Sequence, residues 1–287
     1  MRFHQSWWRA ERLGVIAGED ARGNTYGNYL TEHDADIGRN FLAPEIHAYA
    51  LHRIAAGGGV EKFRCTRNLL SSQPMAFNLF GPLHHEPDLA ALLLDPLLPG
   101  GVEQASVDVE WAPPKQFHLG DATSFDVVAR YVRADGRRAI AGIETKLTEP
   151  FSQKVYGLDD HHTERYREVA RLSDVWRDPD DVELTDKRWN QVWRNQLLVE
   201  SICQREPDLL GCEVVVHHPL DERCASNVTE YSQFLNEPVE TLVRHSLDQI
   251  VTVWEPLLRT DAERRWLNDF ADRYLNLELS DGSWAAQ

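Results

Sequence analysis

The sequence has no run of eighteen apolar residues anywhere in its 287 positions, so no stretch of it reads as a membrane-spanning helix. Cysteine is scarce. Cys65, Cys203, Cys212 and Cys224 lie far apart with no CxxC pair among them, which argues against a disulfide-stapled scaffold and for reduced thiols in a cytosolic protein. A zinc site built from these thiols and the pairs His84–His85, His161–His162 and His217–His218 would have no ligand spacing to support it. The opening MRFHQSWWRAERLG is too polar and aromatic for a signal peptide, so a cytoplasmic, soluble protein is expected and Asn227-Val228-Thr229 carries no glycosylation meaning. There is no internal repeat and no low-complexity tract. Positive charge is also short: 30 Lys and Arg stand against 46 Asp and Glu, a formal net charge of -16. That balance opposes contact with phosphates. The acids, however, gather in DPDDVELTD (Asp178 to Asp186) and in the C-terminal third, while Arg130, Arg133, Arg137 and Arg138 crowd one hairpin and Arg188 and Arg194 flank a later helix. Local basic strips of this kind are expected to hold a phosphate backbone, helped by any bound divalent ion.

What is present is enough apolar material, 42% of residues, to bury a real core in one elaborated domain. We divide it into a mainly helical part over 1–99, a core over 100–220 and a helical part over 221–287. The core is organised around Gly120 to Glu149, GDATSFDVVARYVRADGRRAIAGIETKLTE. Val, Phe and Tyr from about Phe125 to Arg133 predict one strand, and Ala139 to Leu147 a second, with Ala134-Asp135-Gly136 between them. A two-residue Asp-Gly loop would set Asp126 opposite Thr145. A three-residue loop with Gly136 left-handed pairs Arg133 with Arg137 and sets Asp126 opposite Glu144, and a single bulge would undo either count. In the three-residue register Lys146 shares the face of both acids, whose Cβ atoms would be roughly 5 Å apart. Two carboxylates so placed repel by about 3 kcal/mol at an effective dielectric near 20. A fold keeps such a pair where a cation compensates it, and oxygen donors of this type suit Mg²⁺, with Mn²⁺ as a substitute, rather than zinc.

Asp, a gap of this length, then Glu-x-Lys at the end of the next strand resembles the PD-(D/E)xK nuclease superfamily. More of the chain is similar to one branch of it, a family of restriction-type endonucleases. There an acid and a Gly-Asp pair precede the hairpin, here Glu110 in VEWAPP and Gly120-Asp121, and the similarity continues through Phe125-Asp126, Ile143-Glu144, Lys146 and Glu149. It also takes in NLLSSQPMAFNLFGPL, WNQVWRNQLLVES and DRYLNLE, and so covers most of the chain. Two departures are visible: Phe125 stands where the superfamily name has Pro, and Thr145 separates Glu144 from Lys146. Neither removes a charged group.

The remaining chain fits an α/β, restriction-endonuclease-like αβββαβ core with a central mixed sheet, elaborated by N- and C-terminal helices. Alternating Val102, Ala105, Val107 and Val109 predict a strand from about Glu103 to Trp111, and GCEVVVHHP a strand buried on both faces. Helices are expected over Pro44 to Ala56, from Ser71 or Ser72 to a stop at Gly81-Pro82, over Glu86 to Leu97, Trp189 to Gln204, Val239 to Leu257 and Asp261 to Leu275. GEDARGNTYGN reads as a loop. Glu45, Gln73 and Asn78 are outlying candidates for facing a metal, and Trp254 and Trp266 read as core rather than as base-stacking groups.

The resemblance implies metal-dependent hydrolysis of DNA phosphodiesters, with a role in restriction or phage defence. Asp126, Glu144 and the backbone carbonyl of Thr145 would hold Mg²⁺, and Lys146 would orient or deprotonate water and balance phosphate charge. Glu110, Asp121 and Gln191 are candidates for supporting contacts or a second metal. Cleavage of both strands would favour a homodimer. Against this stands a catalytically degenerate relative acting as a nucleic-acid-binding module or as an acidic interaction subunit with a protein partner, which the net charge favours.

Overall fold

The computed structural model describes residues 1–57, 59–151 and 160–284. They form two compact units, Met1–Pro82 with Leu247–Gln287, and Leu83–Ser246.

The second unit is built on a five-stranded sheet in the order β1 (Gln104–Trp111), β2 (Phe125–Val132), β3 (Arg138–Lys146), β4 (Leu210–His217) and β5 (Leu242–Ser246). β1, β2 and β3 pair antiparallel; β4 runs parallel to β3, and β5 parallel to β4. Helix α1 (Pro87–Leu94) packs on β1, α2 (Asp160–Arg171) on α3 (Asn190–Cys203), and α3 on β3 and β4. The result is a mixed α/β architecture with the expected αβββαβ order. The burial of each strand follows its sequence. β1 alternates buried and exposed positions up to Val109, as a strand at the edge of a sheet does, whereas β3 is buried at every position after Arg138 because it lies third of five with α3 across it. Phe125, Val128, Ile140 and Val215 of the sheet share one core with Val192, Trp193 and Leu197 of α3.

The hairpin adopts the three-residue loop. Arg133 N donates to Arg137 O at 2.8 Å, Gly136 is left-handed at φ +81°, and Val127 faces Ile143. The same count carried one step further sets Asp126 against Glu144. Gly142 in β3 has no room for a side chain, since a Cβ would stand 2.4 Å from Phe125 Cε1 and 2.9 Å from Glu213 Oε2. Gly142→Ala is therefore expected to destabilise by about 1–3 kcal/mol through over-packing, read as a lower urea midpoint at unchanged m-value.

Two expected helices come out differently. Val239 to Leu257 is broken into a turn of helix, β5, and the helix Leu247–Trp254. A five-residue run such as Leu-Val-Arg-His-Ser carries too little periodicity to separate strand from helix, and its pairing with β4 decides. The helix predicted to stop at Gly81-Pro82 runs on from Ser72 to His85. Pro82 has no N–H for the Asn78 carbonyl, and the Trp266 indole donates to that carbonyl instead, at 2.7 Å.

The first unit is mainly helical. Pro44–Ala56 starts and ends as expected, and Asp261–Tyr274 opens on a capping box between Thr260 and Glu263. The loop GEDARGNTYGN carries a minimal ladder, Gly18 to Tyr26 and Glu19 to Thr25. Trp254 is fully buried and packs edge-to-face with Phe80 and tilted against Trp266, in the core role expected of it. Gln73 and Asn78 are not metal-facing groups. Asn78 bonds Leu42 N, Asn40 O and the Tyr274 hydroxyl, and Gln73 bonds Glu61 N and Gly59 O, so both tie loops of this unit together. Glu45 is exposed in the first turn of its helix.

Candidate active site

The ends of β2 and β3 and one face of α3 bring six polar side chains together. Asp126 Oδ2 accepts two hydrogen bonds from Thr145, from its backbone N at 2.8 Å and its hydroxyl at 2.9 Å. Glu144, 1% exposed, receives Lys146 Nζ and Gln191 Nε2 (2.7 Å) on Oε1 and Asn195 Nδ2 (2.8 Å) on Oε2. Lys146 also donates to Gln191 Oε1 at 3.2 Å and lies over the Phe151 ring. Gln191 and Asn195 are one turn apart on α3, so one helix face meets Glu144 twice.

The electrostatics follow from the crowding. Loss of solvation, and then the Glu144 charge, push the Asp126 carboxyl up to about 7, against the downward pull of Lys146 and the Thr145 bonds. Burial would depress the Lys146 ammonium, but Glu144 and Asp126 outweigh it and hold it above its ordinary value.

Glu110 stands at the register position next to Asp126 on β1, between the paired Val109–Val127 and Trp111–Phe125. It is buried and left-handed at φ +53°, a conformation costing on the order of 1 kcal/mol in a residue with a side chain. Glu110, Asp126 and Glu144 thus occupy one row across three strands. Asp121 is drawn elsewhere. It accepts from Thr123 N and Oγ1, both at 2.9 Å, and from the Tyr166 hydroxyl, and pairs with Arg194 Nη1 at 3.9 Å. Its bonds anchor α2 and α3 to the loop before β2, and none of them runs to Glu144 or Asp126.

That arrangement corrects the basic strips. Arg194 is 5% exposed and held by Asp121, Thr123 and Asn190, so it cannot face solvent beside Gln191. Arg130 pairs with Asp108, Arg133 with Asp135 and Glu240, Arg137 with Asp135, Arg138 with Glu206, and Arg188 with Asp186 and Glu230. Beside Lys146 a small cleft of about 60 Å³ is lined by Lys187 and Arg223, exposed and without acid partners among the described residues, and also by Glu149 and Asp221.

Sequence reasoning missed Asn195 and Glu213. Asn195 follows Gln191 at helical spacing, and Glu213 is an acid inside an apolar strand; both signals were available. Asn195 Nδ2 also reaches Glu213 Oε1 at 3.3 Å, while Glu213 Oε2, fully buried, makes no hydrogen bond. Burial first, then the Glu144 charge, hold Glu213 well above its ordinary value.

Among the described residues no three His, Cys, Asp or Glu side chains converge as a ready-made metal cage, and the described cysteines are free. The side chains of His161 and His162 lie outside the described residues. Asp126 and Glu144 present two carboxylates against the single Lys146 ammonium, and both Thr145 bonds end on Asp126 Oδ2 rather than Oδ1. Hard oxygens in an excess-negative cluster fit a divalent ion that keeps part of its water shell.

No curated protein and no solved structure matches the chain. A family model does, over residues 1–276, and it spans both the sheet-bearing unit and most of the helical one. The mixed sheet with Asp126 and Glu144-x-Lys146 on adjoining strands is the arrangement that match leads one to look for, and the chain belongs to the PD-(D/E)XK nuclease superfamily.

Proposed function

We propose that the protein is a divalent-metal-dependent endonuclease acting on DNA, with Asp126, Glu144 and Lys146 as its catalytic residues. The observation that carries this reading is the contact of Lys146 with Glu144 and Gln191 at the end of β3, beside Asp126 clipped to Thr145. Asp126 and Glu144, with the Thr145 carbonyl, would hold Mg²⁺ or Mn²⁺. When bound, that ion supplies a Lewis acid for the phosphoryl oxygen and an acidified water. Lys146 orients the attacking water and balances charge on the phosphate, while Gln191 and Asn195 fix the Glu144 carboxylate through both its oxygens. Glu110 adds a third acid to the row. A role in restriction or phage defence agrees with this activity.

Titration calorimetry of Mg²⁺ and Mn²⁺ into wild type and Glu144→Ala, with plasmid and single-stranded DNA digested in the same buffers with and without EDTA, tests the reading. Metal binding lost in the variant and nicking abolished by EDTA are expected; a wild type that binds no metal and cuts neither substrate would sink it. The Asp126 carboxyl near 7 adds a pH dependence. Binding needs its ionised form, so metal affinity and cleavage should fall by about tenfold per pH unit below 7 and level off above it.

The paired arginines and the charge of -16 favour a second reading, in which a protein partner supplies nucleic-acid affinity. Such a subunit would bind its partner in EDTA as well as in Mg²⁺.

A further inference from the structure

A cavity of about 590 Å³ lies wholly within the first unit, and its charge is opposite to that of the chain. Arg12, Arg39 and Arg273 line it against one acid, Asp269. Arg273 is fully buried, and its described partners are neutral oxygens: Asn40 O at 2.7 Å, Asn40 Oδ1 at 2.5 Å and Gln5 Oε1 at 3.4 Å. Burial lowers its pKa, and no carboxylate offsets the effect. Arg39 is exposed and has no acid partner among the described residues, while Arg12 pairs with Asp272 at 3.2 Å. Two further lining groups have unused polar atoms. Trp8 is 6% exposed with an indole N–H that meets no acceptor among the described residues, and His47 Nε2 is buried without a partner among them. The helix Pro44–Ala56 begins at the same wall with no side-chain cap on its N-terminus.

The Arg273 guanidinium, its nitrogens already donating to Asn40 and Gln5, adds positive charge with no carboxylate beside it, while the unsatisfied Trp8 indole N–H and the uncapped helix N–H groups offer donors, and together these favour an oxyanion. The volume is that of an organic ligand rather than a bare ion. Trp8 and Phe41 supply apolar walls. We propose that this cavity binds a phosphate group carried by a nucleotide, either a free mononucleotide or the phosphorylated end of a strand. The proposal does not depend on cleavage at β3.

The test is titration calorimetry in EDTA with adenosine 5′-monophosphate, adenosine, and one oligonucleotide with either a 5′-phosphate or a 5′-hydroxyl. At least one phosphate-bearing probe should bind at least tenfold tighter than its phosphate-free counterpart. Binding of the mononucleotide identifies a small-molecule site, and binding of the phosphorylated strand alone identifies a strand-end site. Arg39→Glu, on an exposed side chain, should weaken that binding at least tenfold, Trp8→Phe severalfold, and Lys146→Met not at all; circular dichroism verifies that each variant is folded. Equal binding with and without phosphate, no binding, indifference to Arg39→Glu, or loss in Lys146→Met would each overturn the proposal.

Discussion

Lys146→Met is expected to lower metal-dependent cleavage by about three orders of magnitude, the scale of removing a positioned proton-transfer or charge-stabilising group. The side chain is 8% exposed, so methionine keeps its bulk and removes its ammonium. Glu144 keeps its bonds from Gln191 and Asn195 but loses its only cationic contact among the described residues. Breaking a buried pair in this way typically costs about 3–5 kcal/mol, because the remaining charge is left without a counter-ion. A divalent ion restores the balance. The thermal midpoint of the variant should therefore rise with Mg²⁺ more than that of the wild type, while cleavage stays lost. Single-turnover rates within tenfold of wild type would remove Lys146 from the chemistry.

Asp126→Asn should separate stability from function in the opposite sense. The folded carboxyl sits near 7 against an ordinary 3.8, so the folded protein retains a proton that the unfolded chain releases. Stability from this group is present in acid and is lost as pH rises through 7. An asparagine is neutral throughout and can still accept the Thr145 bonds. Because Asp126 retains some contact with solvent, the gain in EDTA at about pH 8 should be on the order of 2 kcal/mol, well below the full linkage value. It should shrink toward pH 5. Metal affinity should disappear at both. Urea midpoints and calorimetry measure the two halves, and a variant no more stable than wild type at pH 8 would show that Asp126 is not held at a cost.

The hairpin was readable because its information is local: turn length and a period of two fix which side chains share a face. Helical spacing likewise put Gln191 on α3, while its place beside the site was implied by the resemblance. What it could not tell was what lies opposite. Arg194, expected as part of a basic strip, is instead enclosed by Asp121 and Thr123. Asp121 was a candidate supporting ligand because the resemblance places a Gly-Asp pair before the hairpin, but its bonds turn toward α2 and α3. β5 and the continuation through Pro82 depend on partners far along the chain, β4 and Trp266, which no window of sequence contains. Glu213 is the clearest omission, since an acid in the middle of a valine run signals a buried function more strongly than an acid on a polar strand.

The pairing of Arg130, Arg133, Arg137, Arg138 and Arg188 with carboxylates has a thermodynamic consequence. Phosphates bound by free cations release condensed counter-ions, and that release makes affinity fall steeply with monovalent salt. Guanidinium groups already neutralised by neighbours displace few ions from a strand. Occupancy of this surface by nucleic acid should accordingly have a shallow slope in log salt and follow the activity of the divalent ion instead.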